Sequence, residues 1–168
     1  MNTKSLLDIN SYLDPSKFVQ TMWKKLRGVP GGKKIFSKLL GTVVPYTSSI
    51  NAIVDELDRG KAKILLKDKR SVRNHLNCIH AIALVNLGEV ATGLPLLYGL
   101  RPGLRAILKS IEAEYIKKAR GNLFAVSHFE IPDTIVDKTD ITITASIFNE
   151  HSDIVTKVTA HWLVSPKR

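Results

Sequence analysis

The stretch RNHLNCIHAIALVNLGEVATG, Arg73 to Gly93, gathers most of the residues in this chain that could do chemistry. Asn74, His75, Asn77, Cys78 and His80 crowd its first half. An apolar helical pattern follows, interrupted by a single acid, Glu89. A carboxylate beside a core can serve as nucleophile or general base, with burial raising its pKa. A helix start supplies backbone N–H donors that have no intrahelical acceptor and can hold an oxyanion. Each group also has a plain structural reading. Glu89 could pair with an arginine such as Arg73, His80 could anchor the helix start, and Asn74 could cap a turn.

Other chemistries fit less well. His75, Cys78 and His80 form H-x-x-C-x-H, which matches no strong zinc spacing and lacks a fourth ligand. A Cys78 nucleophile would need an orienting third group, and the sequence shows none. The reading therefore expects no metal and no redox cofactor.

The whole chain bounds these possibilities. Its 168 residues suit one domain with a real core. A single cysteine excludes an internal disulfide and fits a reducing cytosol, so a cytoplasmic protein is expected. No apolar run reaches the length of a membrane span by this reading, and the N terminus lacks the pattern of a signal peptide. The net charge of +10 favours polyanionic partners (nucleic acid, anionic lipid or a phosphate-rich cofactor), and a generally basic surface is the commoner explanation. No zinc-finger, RRM or helix-turn-helix signature accompanies it, so nucleic acid is not expected.

The elements that must position Glu89 follow from periodicity. Phe18, Met22 and Leu26 recur at helical spacing within Pro15 to Leu40, and GVPGG breaks that pattern. This basic amphipathic segment is expected to pack its stripe on its own domain rather than on a membrane. INAIVDELDRGKAKILLKD reads as a hairpin turning at Asp58-Arg59-Gly60. A polar loop, Lys69 to Asn77, leads into the helix of Ile79 to Gly93, which Pro95 is expected to kink or end. Strands are expected at Ala106 to Lys117, Leu123 to Ile131, Asp140 to Asn149 and Ile154 to Val164. One long helix among antiparallel strands makes an α+β fold, its sheet wrapped around the helix.

In this order and in its motif the chain resembles the hotdog fold of acyl-CoA thioesterases. Those of the phenylacetate-pathway type carry Asn, then His-Gly-Gly six residues on, then Asp or Glu nine residues after the His. Asn74, His80 and Glu89 occupy those positions. VPYTSSI and EYIKKARG are similar to an uncharacterised hotdog branch known only as a domain of unknown function. The resemblance covers about Pro45 to Pro166. It implies a helical extension over residues 1–44 and a hotdog domain over 45–168.

The resemblance implies hydrolysis of an acyl-CoA or related thioester, with CoA entering only as part of the substrate. Glu89 would be nucleophile or general base, and Ala81 N–H, with Ile82 N–H, would polarise the carbonyl. Asn74 and His80 would orient substrate or water. Ala81 and Ile82 replace the family's two glycines, and Gly93 stands where some relatives have Thr, with Thr92 adjacent. Lys117, Lys118 and Arg120 would lie near the CoA phosphates. Ala81 and Glu89 are separated by a helical rise of roughly 12 Å, so one carbonyl reaches both only if two chains contribute. A homodimer or tetramer with a composite site is therefore expected. The alternative is a non-catalytic acyl-thioester or lipid-binding hotdog protein. A hydratase lacks its paired Asp and His here.

Overall fold

The first helix begins where the sequence supplies a cap. A computed structural model of the protein describes residues 14–167. The Asp14 carboxylate accepts from Ser16 N–H and Lys17 N–H, and Pro15 occupies the first helical position of α1 (Pro15–Leu26). Residues 1–13 of the expected extension, and the expected absence of a signal peptide, lie outside the described residues. GVPGG then turns the chain into α2 (Gly32–Val43) and the single turn α3 (Pro45–Ser48). Phe18, Val19, Trp23, Phe36 and Leu40 bury themselves in the main core. Trp23 Nε1 donates to the Leu57 carbonyl at 2.8 Å, and Gln20 Nε2 donates to the carbonyls of Tyr98 and Leu100. The amphipathic segment thus packs on its own protein, as expected.

β1 (Ile53–Asp58) and β2 (Lys61–Leu66) form the expected hairpin, turned by Gly60 at φ +67°. Ala62, Ile64 and Leu66 face the core while Lys61 and Lys63 reach solvent on the other face. The later strands are β3 (Leu104–Tyr115), β4 (Leu123–His128), β5 (Thr139–Phe148) and β6 (Ile154–Pro166), each within a few residues of expectation. The six make one antiparallel sheet in the order β1-β2-β4-β5-β6-β3, with β1 and β3 at its edges.

The central helix, α4 (Ala81–Gly99), departs from expectation at its far end. Pro95 lies inside it and does not end it. A proline leaves the carbonyl four residues earlier without its N–H partner. That carbonyl belongs to Ala91, and the buried Ser127 hydroxyl on β4 donates to it. The helix therefore continues to Gly99. Its 19 residues are long and apolar enough, by length and composition alone, to cross a membrane. This corrects the expectation that no apolar run comes near that length. The sheet accounts for the apolarity, because twelve of those residues, from Ala83 to Leu96, are buried. Two glycines let β6 approach closely. A Cβ on Gly88 would stand 2.4 Å from Val158, and one on Gly93 would stand 2.9 Å from Trp162.

Candidate functional site

The loop before α4 is held by its own polar residues. Asn74 Oδ1 accepts from the N–H groups of Leu76 and Cys78, and Asn74 N–H donates to the Cys78 carbonyl. Asn74 thus closes a tight loop, its plain structural reading. His80 is the N-cap of α4, and its Nδ1 accepts from Ile82 N–H at 3.1 Å. That bond places the neutral ring's proton on Nε2. It also occupies Ile82 N–H, so the expected second oxyanion donor is already engaged. Ala81 N–H has no partner among the described residues, and its carbonyl accepts from the Tyr115 hydroxyl at 3.3 Å. Cys78 is buried and its thiol donates to the Leu76 carbonyl. Among the described residues no three His, Cys, Asp or Glu side chains gather as a metal set.

Glu89 lies two turns further along the unbroken helix. The structure brings Asn74, His80 and Ala81 to one end of α4 and sets Glu89 apart from them. Arg73 is committed elsewhere: its guanidinium bonds Asp68 at 2.6 Å and holds that carboxyl below its usual range. The Glu89 carboxylate has no ion pair and no hydrogen-bond partner among the described residues, and burial pushes its pKa above the ordinary 4.5. Along the middle of α4 the residues left partly open are Ile82, Val85 and Glu89, which share one helix face.

Glu89 also lines a cavity of about 100 Å³ with almost wholly apolar walls. Phe18 and Val19 of α1, Leu40 and Val43 of α2, and Trp162 of β6 contribute to it. The sequence reading missed these walls. They come from three elements besides α4, and no local pattern announces their convergence. Thr92 does not take the place of the threonine that Gly93 lacks. It is fully buried, donates to the Glu89 backbone carbonyl at 3.0 Å, and accepts from Trp162 Nε1 at 3.3 Å.

The basic trio follows β3 as expected. Lys117 Nζ pairs with Asp153 at 3.0 Å. Lys118 and Arg120 are exposed and carry no ion pair among the described residues.

A six-stranded antiparallel sheet of this order, wrapped around one buried helix, is the hotdog fold. Solved structures share it. A structural-genomics protein is 27% identical over 89% of this chain and 99% of its own, with a TM-score of 0.78. A Pseudomonas aeruginosa protein described as a probable thioesterase is 14% identical, over 83% of this chain and 97% of its own, at a TM-score of 0.70. A variant of a Staphylococcus aureus thioesterase is 16% identical, over 73% of this chain and 99% of its own, at 0.64. The chain belongs to the family described as Domain of unknown function (DUF4442), which matches residues 32–164. No curated protein matches it.

Proposed function

We propose that the protein hydrolyses an acyl thioester, an acyl-CoA or a related carrier ester, to a free acid and a thiol. The observation that carries this reading is Glu89, an unpaired carboxylate at the wall of an apolar cavity. A carboxylate held partly out of water without a partner costs folding stability, so its retention calls for a use. The cavity suits the start of an acyl chain and would bring the carbonyl to the carboxylate. As the anion, Glu89 takes a proton from water, whose oxygen attacks the carbonyl carbon; the C–S bond then breaks and the thiolate leaves. The same anion could attack directly, giving an anhydride that water opens. Neither route requires a metal or redox cofactor. Two of the fold's relatives are described as a thioesterase and a probable thioesterase, which agrees with this chemistry.

The oxyanion donor in this reading is Ala81 N–H from a second copy of the chain. Within one chain the helical rise keeps it roughly 12 Å from Glu89. The open face of α4, Ile82, Val85 and Glu89, and the free edge of β3 are the surfaces by which two copies would meet.

The binding-module reading has its own observation. Ile82 N–H is taken by His80, and Ile82 is 53% exposed at a position where phenylacetate-pathway thioesterases carry glycine. One free donor and a bulkier approach favour holding a thioester without cleaving it. Thiol release across short, long and aromatic acyl-CoAs separates the two. Turnover in the wild type that Glu89→Gln abolishes supports the hydrolase; tight binding with no turnover supports the binding module.

A further inference from the structure

A cavity of about 480 Å³ lies beside the Glu89 cavity and is lined by neither Glu89 nor the residues at the start of α4. It opens between α2, the segment after α3, and the end of β2. Four lysines line it: Lys34 and Lys38 from α2, Lys67 and Lys69 from the strand end. Lys34 and Lys38 are one helical turn apart and project to one side, and Lys67 and Lys69 follow the end of β2. No aspartate or glutamate lines the cleft. None of the four lysines has a carboxylate partner among the described residues, whereas Lys33 and Lys63 nearby both pair with Asp55. Four like charges left together repel one another, and an anion among them relieves that repulsion.

The position relative to Glu89 matters as much as the charge. Leu40, Thr47 and Val90 line both the cleft and the apolar cavity, and Val90 follows Glu89 in the chain. An anionic head in the cleft therefore lies next to an acyl tail in the cavity. The volume falls within the range of sites for nucleotide-sized ligands, roughly 300–1,000 Å³.

We infer that this cleft binds the phosphates of the thiol carrier, a nucleoside phosphate head such as CoA carries. The inference rests on the thioesterase reading for the identity of the ligand but not for its detection. It differs from phosphate binding at Lys118 and Arg120, which lie on an exposed strand end outside the cleft.

The test is calorimetric binding of free CoA and of inorganic phosphate to the wild type, Lys34→Gln with Lys38→Gln, Lys67→Gln with Lys69→Gln, and Lys118→Ala with Arg120→Ala. All these lysines are exposed, and a thermal melt checks that each pair of changes leaves the fold intact. Each cleft pair should weaken CoA binding at least ~10-fold, as expected for lost charge-assisted contacts. The loss should shrink as salt rises, because screening acts over about 10 Å at 0.1 M. CoA binding that survives both cleft pairs, or that falls only with Lys118 and Arg120, overturns the inference. A wild type that binds phosphate but not CoA also overturns it. If CoA binds through the cleft lysines and no thioester is hydrolysed, the cleft stands and the hydrolase reading falls. If hydrolysis proceeds while the cleft variants bind CoA normally, the reverse holds.

Discussion

At the scale of residues, the proposed hydrolysis turns on the protonation of Glu89. Its folded pKa is raised, so between the ordinary value near 4.5 and that raised value the folded state binds more protons than the unfolded chain. Stability is then fullest below the ordinary value and falls as pH rises through the raised one. Activity runs the other way, because only the anion can attack or activate water. One pH window should therefore show turnover rising while the melting temperature drifts down. Glu89→Gln should flatten that part of both profiles. It should cost at least ~100-fold in turnover, yet melt at or above the wild type at neutral pH, with the difference fading toward acid pH. Steady-state hydrolysis beside melts from pH 4 to 8 checks both, and a variant that loses its fold would mark the carboxylate as structural. Glu89 was legible in the sequence because it is the one acid in an apolar helical run. The plain readings of Asn74 and His80 were legible too, since capping depends on near neighbours. The cavity beside Glu89 was not, because Phe18, Leu40 and Trp162 meet only in the folded chain.

At the scale of elements, local chemistry was readable wherever its partners were local. The β1–β2 hairpin follows from alternation around one turn glycine, and β5 and β6 follow from theirs. The end of α4 was misread for the opposite reason. Pro95 stops a helix when the carbonyl it orphans stays bare, and here the partner of Ala91 is Ser127, 36 residues away on another element. Ser127→Ala should accordingly destabilise the protein by about 1–3 kcal/mol, the cost of a buried carbonyl left unsatisfied. Pro95→Ala restores an N–H to that carbonyl, so in its background Ser127→Ala should cost much less. A double-mutant cycle in urea measures this coupling, and additive effects would separate the hydroxyl from the proline. Gly88 marks where α4 rests on β6. Gly88→Ala drives a methyl into Val158 and should cost about 1–3 kcal/mol by overpacking, read in the same denaturation.

At the scale of the whole molecule, the proposed hydrolase site needs two chains. β3 is an open edge of twelve residues with Ile107 49% and Tyr115 50% exposed, and such an edge invites pairing. Light scattering at micromolar concentration should show a dimer or larger assembly; a stable and active monomer would contradict the two-chain site. Ala81 offers a clean way to remove the donor. It is the first helical residue, where proline is tolerated, and His80 before it has φ −63° and ψ 139°, which suits a residue preceding proline. Ala81→Pro therefore deletes the N–H while leaving α4 in place. The most direct measurement co-expresses the Glu89→Gln chain with the Ala81→Pro chain and assays thioester hydrolysis of the mixed assemblies. Each variant alone should be nearly inactive. A mixed dimer holds one site with both Glu89 and Ala81 N–H intact, so random pairing should restore about a quarter of the wild-type sites. Activity no greater than that of the two variants assayed separately would contradict a thioesterase site shared between two chains.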